Sequence, residues 1–149
     1  MDKNIKPLKN IKVLDLTHML SGPYGSMILA DLGCEVIKIE PPKKGEGTRR
    51  LLENDPDYSH NGMGAYFYTL NRNKKSVAID LKNQLGIEIF YELIKKADVV
   101  ISNFSAGVTK KLKIDLERLP PVPRWYLYQA YCQTAGLIYN SIVIYIHIR

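Results

Sequence analysis

The stretch IKVLDLTHMLSGPYGSMILADLGCEVIKIE, residues 11–40, decides the fold. Ile11–Leu16 is rich in apolar residues and follows a turn-like Pro7-Leu8-Lys9-Asn10, so it reads as a strand. The chemistry changes at Thr17. Ser21 is a good N-cap, and Pro23 suits a first helical turn, where its missing N–H would have no partner anyway. Met27, Ile28, Leu29 and Leu32 supply the apolar face of a helix over Tyr24–Leu32, and Gly33 offers its left-handed stop. Glu35–Glu40 is a second strand. Strand, short helix and strand within about thirty residues form a βαβ unit, which predicts parallel strands joined by a right-handed crossover.

Outward from this unit, Pro41–Gly47 and Asn54–Asp57 carry loop chemistry. A loop this long in a compact domain serves function or stays mobile. Gly64–Leu70 predicts one or two helical turns, and Asn71–Lys75 a polar, basic turn. Ser76–Asp80 reads as a third strand. Leu85–Lys96 is the clearest helix, with Leu85, Ile89 and Leu93 on one face, Phe90 and Ile94 beside them, and Lys95 and Lys96 suited to its C-terminal dipole. Asp98–Ser102 is a fourth strand. Strands alternating with helices predict an α/β fold: an open parallel sheet with flanking helices.

The last part of the chain breaks this pattern. Tyr126–Arg149 contains no Lys, Asp or Glu, yet holds Tyr126, Tyr128, Tyr131, Tyr139 and Tyr145, half of the ten tyrosines. We therefore divide the chain into a domain over residues 1–119 and an atypical tail over 120–149. Ile142–Ile148 has strand propensity without a gatekeeper charge, an aggregation hazard if exposed. The tail reads either as a closing strand pair or as sequence translated in a shifted frame. The abrupt change of composition favours the shifted frame and an N-terminal fragment of a longer protein.

Composition narrows the class. At 149 residues the chain can build one domain with a real core. Cys34 and Cys132 form no CxxC, so neither a disulfide framework nor a zinc knuckle is expected, and the setting reads as reducing cytoplasm. No apolar region follows the polar start, and no run of 18 apolar residues occurs, so neither a signal peptide nor a membrane span is expected. The net charge of +6 attracts anions. The basic residues are spread over loops with few aromatics between them, which argues against a nucleic-acid module.

In an open parallel sheet, ligands bind beyond the carboxyl ends of the strands. Here those ends are Thr17–Ser21, Pro41–Lys44, Ile79–Lys82 and Asn103–Gly107. The first leads into a helix N-terminus, whose N–H groups and dipole suit a phosphate. Lys43, Lys44, Arg49, Arg50, Lys82, Lys110 and Lys111 would suit a nucleotide with three phosphate groups. Glu40 stands where a ribose-binding acid would, but no GxGxxG is present, so a dinucleotide enzyme is disfavoured. His18 is a candidate acid or base. Asp15 reads as a buried, hydrogen-bonded acid. No Ser/His/Asp or Cys/His arrangement, HExxH or carboxylate cluster stands out, so we assign no catalytic residue and no metal site.

Five segments in order carry a resemblance. They are Leu14–Tyr24, Leu29–Pro41, Leu70–Lys82, Lys96–Phe104 and Gly107–Leu112. Over residues 8–119 the chain resembles the opening of family III CoA-transferases, a group that includes formyl-CoA transferase, the carnitine CoA-transferases and α-methylacyl-CoA racemase. The resemblance implies a Rossmann-like, coenzyme-A-binding domain, here incomplete. It implies CoA contacts from Leu20 and Ser21, from Ile79, Asp80, Leu81 and Lys82, from Asn103, Phe104 and Ser105, and from Lys111, with His18 in the same loop as the first pair. Pro41 stands where the family can place an arginine, and Lys111 where some members carry one. The implied reaction moves CoA between an acyl-CoA and a carboxylic acid through an aspartyl intermediate. The nucleophilic aspartate is expected beyond residue 149, so this stretch alone is expected to be inactive. Racemase descent and a non-catalytic CoA-binding remnant are the alternatives. The full-length family forms interlocked homodimers.

Overall fold

Alternating apolar residues on three adjacent strands give the sheet two buried faces. The computed structural model describes residues 6–105, 107–115 and 118, together with the backbone of 125–134 and 137–147. Strand β1 is Lys12–Asp15, followed by helix α1, Ser21–Asp31, and strand β2, Glu35–Glu40. A 3-10 turn, Gly47–Arg49, precedes a small hairpin of β3, Ser59–His60, and β4, Met63–Gly64. Helix α2 is Ala65–Asn71, β5 is Lys75–Ala78, α3 is Gln84–Ile94, β6 is Val99–Ser102 and α4 is Val108–Lys111.

Strands β5, β2, β1 and β6 lie side by side in that order, and all three pairings are parallel. The chain therefore winds outward from β1 to β5, then crosses back to add β6 on the other side. This reversal creates a crevice between β1 and β6, where their loops leave in opposite directions. In the tail, β7, Trp125–Thr134, and β8, Leu137–His147, pair with each other, and β8 adds antiparallel to β6.

One face of the sheet buries Leu14, Leu16, Ile39 and Val100 against Phe90 and Ile94 of α3. The other buries Val13, Val36 and Ile101 against Ala30 of α1. Each such side chain contributes roughly 1.5–3 kcal/mol when fully removed from water. Gly33, at φ +103°, closes α1 with the left-handed residue that the sequence suggested.

Two local expectations are corrected. Leu20, not Ser21, occupies the N-cap of α1; Ser21 begins the helix and makes no capping bond. In α3 the buried face is Gly86, Ile87, Phe90 and Ile94, while Leu85 and Ile89 are 63% and 46% exposed. Apolar residues surround much of this helix, so periodicity left its face undecided. Gly86 settles it, because the absence of a side chain lets the helix lie against the backbone carbonyl of Asp80.

Candidate ligand-binding site

The loop after β1 is fixed from below by charge. Asp15 is fully buried. Its Oδ1 accepts the Thr17 N–H at 2.8 Å and the Thr17 hydroxyl at 2.5 Å, and its Oδ2 accepts the Ser26 hydroxyl at 2.6 Å. Two lysines join it. Lys74 Nζ donates to Asp15 Oδ2 at 3.0 Å, to the Pro23 carbonyl at 2.8 Å and to Asn71 Oδ1 at 2.8 Å. Lys38 Nζ lies 3.8 Å from Asp15 Oδ2 and donates to the Thr17 carbonyl at 2.8 Å. Burial pushes the Asp15 carboxyl up, but Lys38, Lys74 and the hydroxyl donors outweigh it and hold the group below the ordinary carboxylate value. Asp15 is thus the buried, hydrogen-bonded acid that the sequence suggested. Lys38 was not anticipated as an interior residue.

A second network anchors the loop after β2. Arg49 grips Glu40 with Nε at 2.6 Å and Nη2 at 2.7 Å, and its guanidinium lies 3.7 Å from the centre of the Phe67 ring. The Ser76 hydroxyl and the Glu46 N–H also donate to Glu40, at 2.6 and 2.8 Å. Arg49 is therefore engaged by Glu40, although its side chain stays 24% exposed beside Lys43 and Lys44. Glu40 is equally occupied, which removes it as a ribose-binding acid.

Burial raises the Glu40 carboxyl, but Arg49, Ser76 and the Glu46 N–H lower it further, to about 2 from an ordinary 4.5. A depressed value means that its stabilising effect is complete above the ordinary value and is lost as pH falls from there toward about 2. In acid titrations followed by circular dichroism, Glu40→Gln is expected to flatten the wild-type loss of stability below about pH 4.5. Parallel acid-unfolding curves for the two proteins would contradict this assignment.

Above these networks lie two adjoining clefts. The smaller, about 280 Å³, is bordered by Leu16, His18, Ile39, Glu40, Pro41, Ile79–Lys82, Phe104 and Leu112. The larger, about 770 Å³, shares Leu81, Lys82 and Leu112, and adds Lys111 and Lys113. Both are lined mainly by apolar surface, and the larger also carries three lysines, of which Lys82 borders both. The His18 and Phe104 rings meet at 5.1 Å. Burial, with Lys38 nearby, lowers the His18 imidazole below its ordinary value, which keeps it neutral near pH 7. Asp80 Oδ1 accepts the Lys82 N–H at 3.0 Å, shaping the turn before α3.

The expected residues divide into three groups. His18, Ile79, Asp80, Leu81, Lys82, Phe104 and Lys111 line the clefts. Leu20, Ser21 and Ser105 are exposed and border neither. Asn103 is buried, with both ends of its amide engaged: Oδ1 accepts the His18 N–H at 2.8 Å, and Nδ2 donates to the His18 carbonyl at 2.8 Å.

Comparison with known proteins now adds a name to this arrangement. The description "CoA-transferase family III" matches residues 8–123. This chain belongs to that family. An acetyl-CoA:oxalate CoA-transferase of Acetobacter aceti is 41% identical over 116 residues, covering 78% of this chain and 28% of that protein. A human succinyl-CoA:glutarate CoA-transferase is 38% identical over 133 residues, covering 89% of this chain and 29% of that protein. A CAIB/BAIF family protein from Brucella suis superposes with a TM-score of 0.68 at 39% identity, covering 76% of this chain and 30% of the other. The chain thus spans less than a third of the length of these relatives.

Within CoA-transferase family III, this chain combines a CoA-transferase sheet with a lysine-only set of cations at the larger cleft. Lysine supplies charge but not the bidentate fork of arginine. Among the described residues, no group of three His, Cys, Asp or Glu could hold a metal, and no helix is long and apolar enough to cross a membrane.

Proposed function

We propose that this chain supplies the coenzyme-A-binding part of a CoA-transferase that moves CoA between an acyl-CoA and a carboxylic acid. The observation that carries the proposal is the convergence of three distant segments on two adjoining clefts. His18, Ile79–Lys82, and Phe104 with Lys111 provide an apolar cleft beside one that adds Lys111 and Lys113 to the shared Lys82. Coenzyme A asks for that pairing, being a flat base joined to phosphate groups. The transferase names of the relatives support acyl transfer over racemisation. The reaction needs a carboxylate that attacks the thioester carbonyl and expels the CoA thiolate. The thiolate then attacks the resulting anhydride at the enzyme's carbonyl, releasing the first acid. The acceptor acid repeats the two steps in reverse, leaving as its CoA thioester with the enzyme carboxylate freed. Asp15, Glu40 and Glu46 are buried and engaged in hydrogen bonds, so we assign that nucleophile to none of them. A homodimer of the whole protein and a cytoplasmic setting belong to the same proposal. The buried, unpaired Cys34 suits the second.

Titration calorimetry with CoA tests the binding. Saturable binding tighter than about 1 mM is expected. Lys82→Ala and Lys111→Ala should each weaken it roughly tenfold, the worth of one hydrogen bond to a charged group. Lys111→Arg should tighten it severalfold by restoring a fork. No heat at millimolar CoA, or affinity indifferent to both alanine variants, would overturn the proposal.

A further inference from the structure

The loop that presents His18 is shaped by side chains that border neither cleft. Asp15 and Lys38 hold the backbone of Thr17, and Asn103 holds both backbone groups of His18. The next residue, Met19, adopts φ +66° although it is not glycine, and its side chain is 58% exposed. No packing of that side chain accounts for a left-handed backbone, which side chains with a Cβ disfavour. What holds Met19 is Glu46. This residue is 1% exposed, and its Oε1 accepts the Met19 N–H at 3.0 Å. Its Oε2 accepts the N–H of Thr48 at 3.1 Å and the Thr48 hydroxyl, so both oxygens face donors. Among the described residues, Glu46 forms no ion pair. A carboxylate buried without a cation in contact is costly unless its hydrogen bonds are well made. Strained backbone held from outside is a recurring mark of ligand sites.

We propose that Glu46 is a positioning residue: by holding Met19 in its left-handed conformation, it sets the orientation in which the His18 loop meets the ligand. The proposal rests on the CoA-binding reading above. Glu46 borders neither cleft; it reaches the loop through its bond to the Met19 N–H, and its charge also acts on the His18 imidazole.

The test uses the whole chain and reads two quantities in wild type and Glu46→Gln. The first is amide hydrogen exchange at Met19, with the β1 amides as internal reference. The second is CoA affinity by calorimetry, well below the melting temperature. Glu46→Gln should speed exchange at Met19 at least tenfold while β1 is unchanged, and weaken CoA at least fivefold. If Glu46→Gln does not fold, Glu46→Asp takes its place; it keeps the charge but draws the carboxylate away from Met19. Unchanged exchange at Met19 overturns the clamp. Faster exchange with unchanged CoA affinity overturns its role in positioning. A wild-type chain that binds no CoA overturns the underlying reading and with it the positioning role, and the exchange measurement tells that failure from failure of the clamp itself.

Discussion

Chemical denaturation of Asp15→Ala is expected to show a loss of about 3–5 kcal/mol, the usual cost of removing one partner from a buried ion cluster. That loss is a large part of the 5–15 kcal/mol available to a typical domain. The reason lies in what stays behind. Lys38 and Lys74 have side chains 1% and 2% exposed, and Asp15 is the acid that each approaches within 4 Å. Without it, two ammonium groups remain out of water with only neutral acceptors. Asp15→Asn keeps the side chain's size but removes the charge, so it should also destabilise strongly. The contribution also depends on pH. Because the Asp15 carboxyl is held below its ordinary value, its contribution is complete above about 3.8 and is lost as pH falls through the lowered value. A midpoint shift equivalent to less than about 1 kcal/mol for Asp15→Ala would mean that the cluster relaxes or admits water.

Gly86→Ala is expected to cost about 2–3 kcal/mol, the upper part of the range for overfilling a packed site. A Cβ built on Gly86 would stand 2.1 Å from the Asp80 carbonyl oxygen and 2.9 Å from its carbon. Both atoms are backbone, so the strain cannot be relieved by turning a flexible side chain. Either α3 lifts from the sheet or the Ile79–Lys82 turn moves. That turn borders both clefts, so the variant should lose CoA affinity as well as stability. Alanine is ordinarily the better helix residue by about 1 kcal/mol, so a gain in melting temperature would contradict the packing directly.

The parallel sheet was legible because each of its strands is a short apolar run bounded by turn chemistry. Strand β2 keeps the expected bounds, Glu35–Glu40, and β1 lies inside the expected Ile11–Leu16. The site was legible to the extent that strand ends mark it. His18, Ile79–Lys82 and Phe104 follow from topology alone once the strands are known. The interior charges were not legible. Lys38 sits between isoleucines in a strand, and nothing local reveals that its side chain meets Asp15 and the Thr17 carbonyl, more than twenty residues back. Arg49 looked like a free cation because its partner lies nine residues back, a spacing with no helical or strand meaning. Glu46 was missed for the same reason: its bond to Met19 spans 27 residues that include all of α1 and β2, and leaves no periodic trace.

The two bonds between Asn103 and His18 join residues 85 positions apart. At synthesis rates of about 5–20 residues per second, that interval lasts roughly 4–17 s. Once β2 has also been made, the first loop of the nascent chain has its helix and its neighbouring strand, but still lacks the amide that completes its shape. The candidate site is therefore completed only once the fourth parallel strand has emerged, and a ligand present during synthesis would meet an unfinished first loop until then.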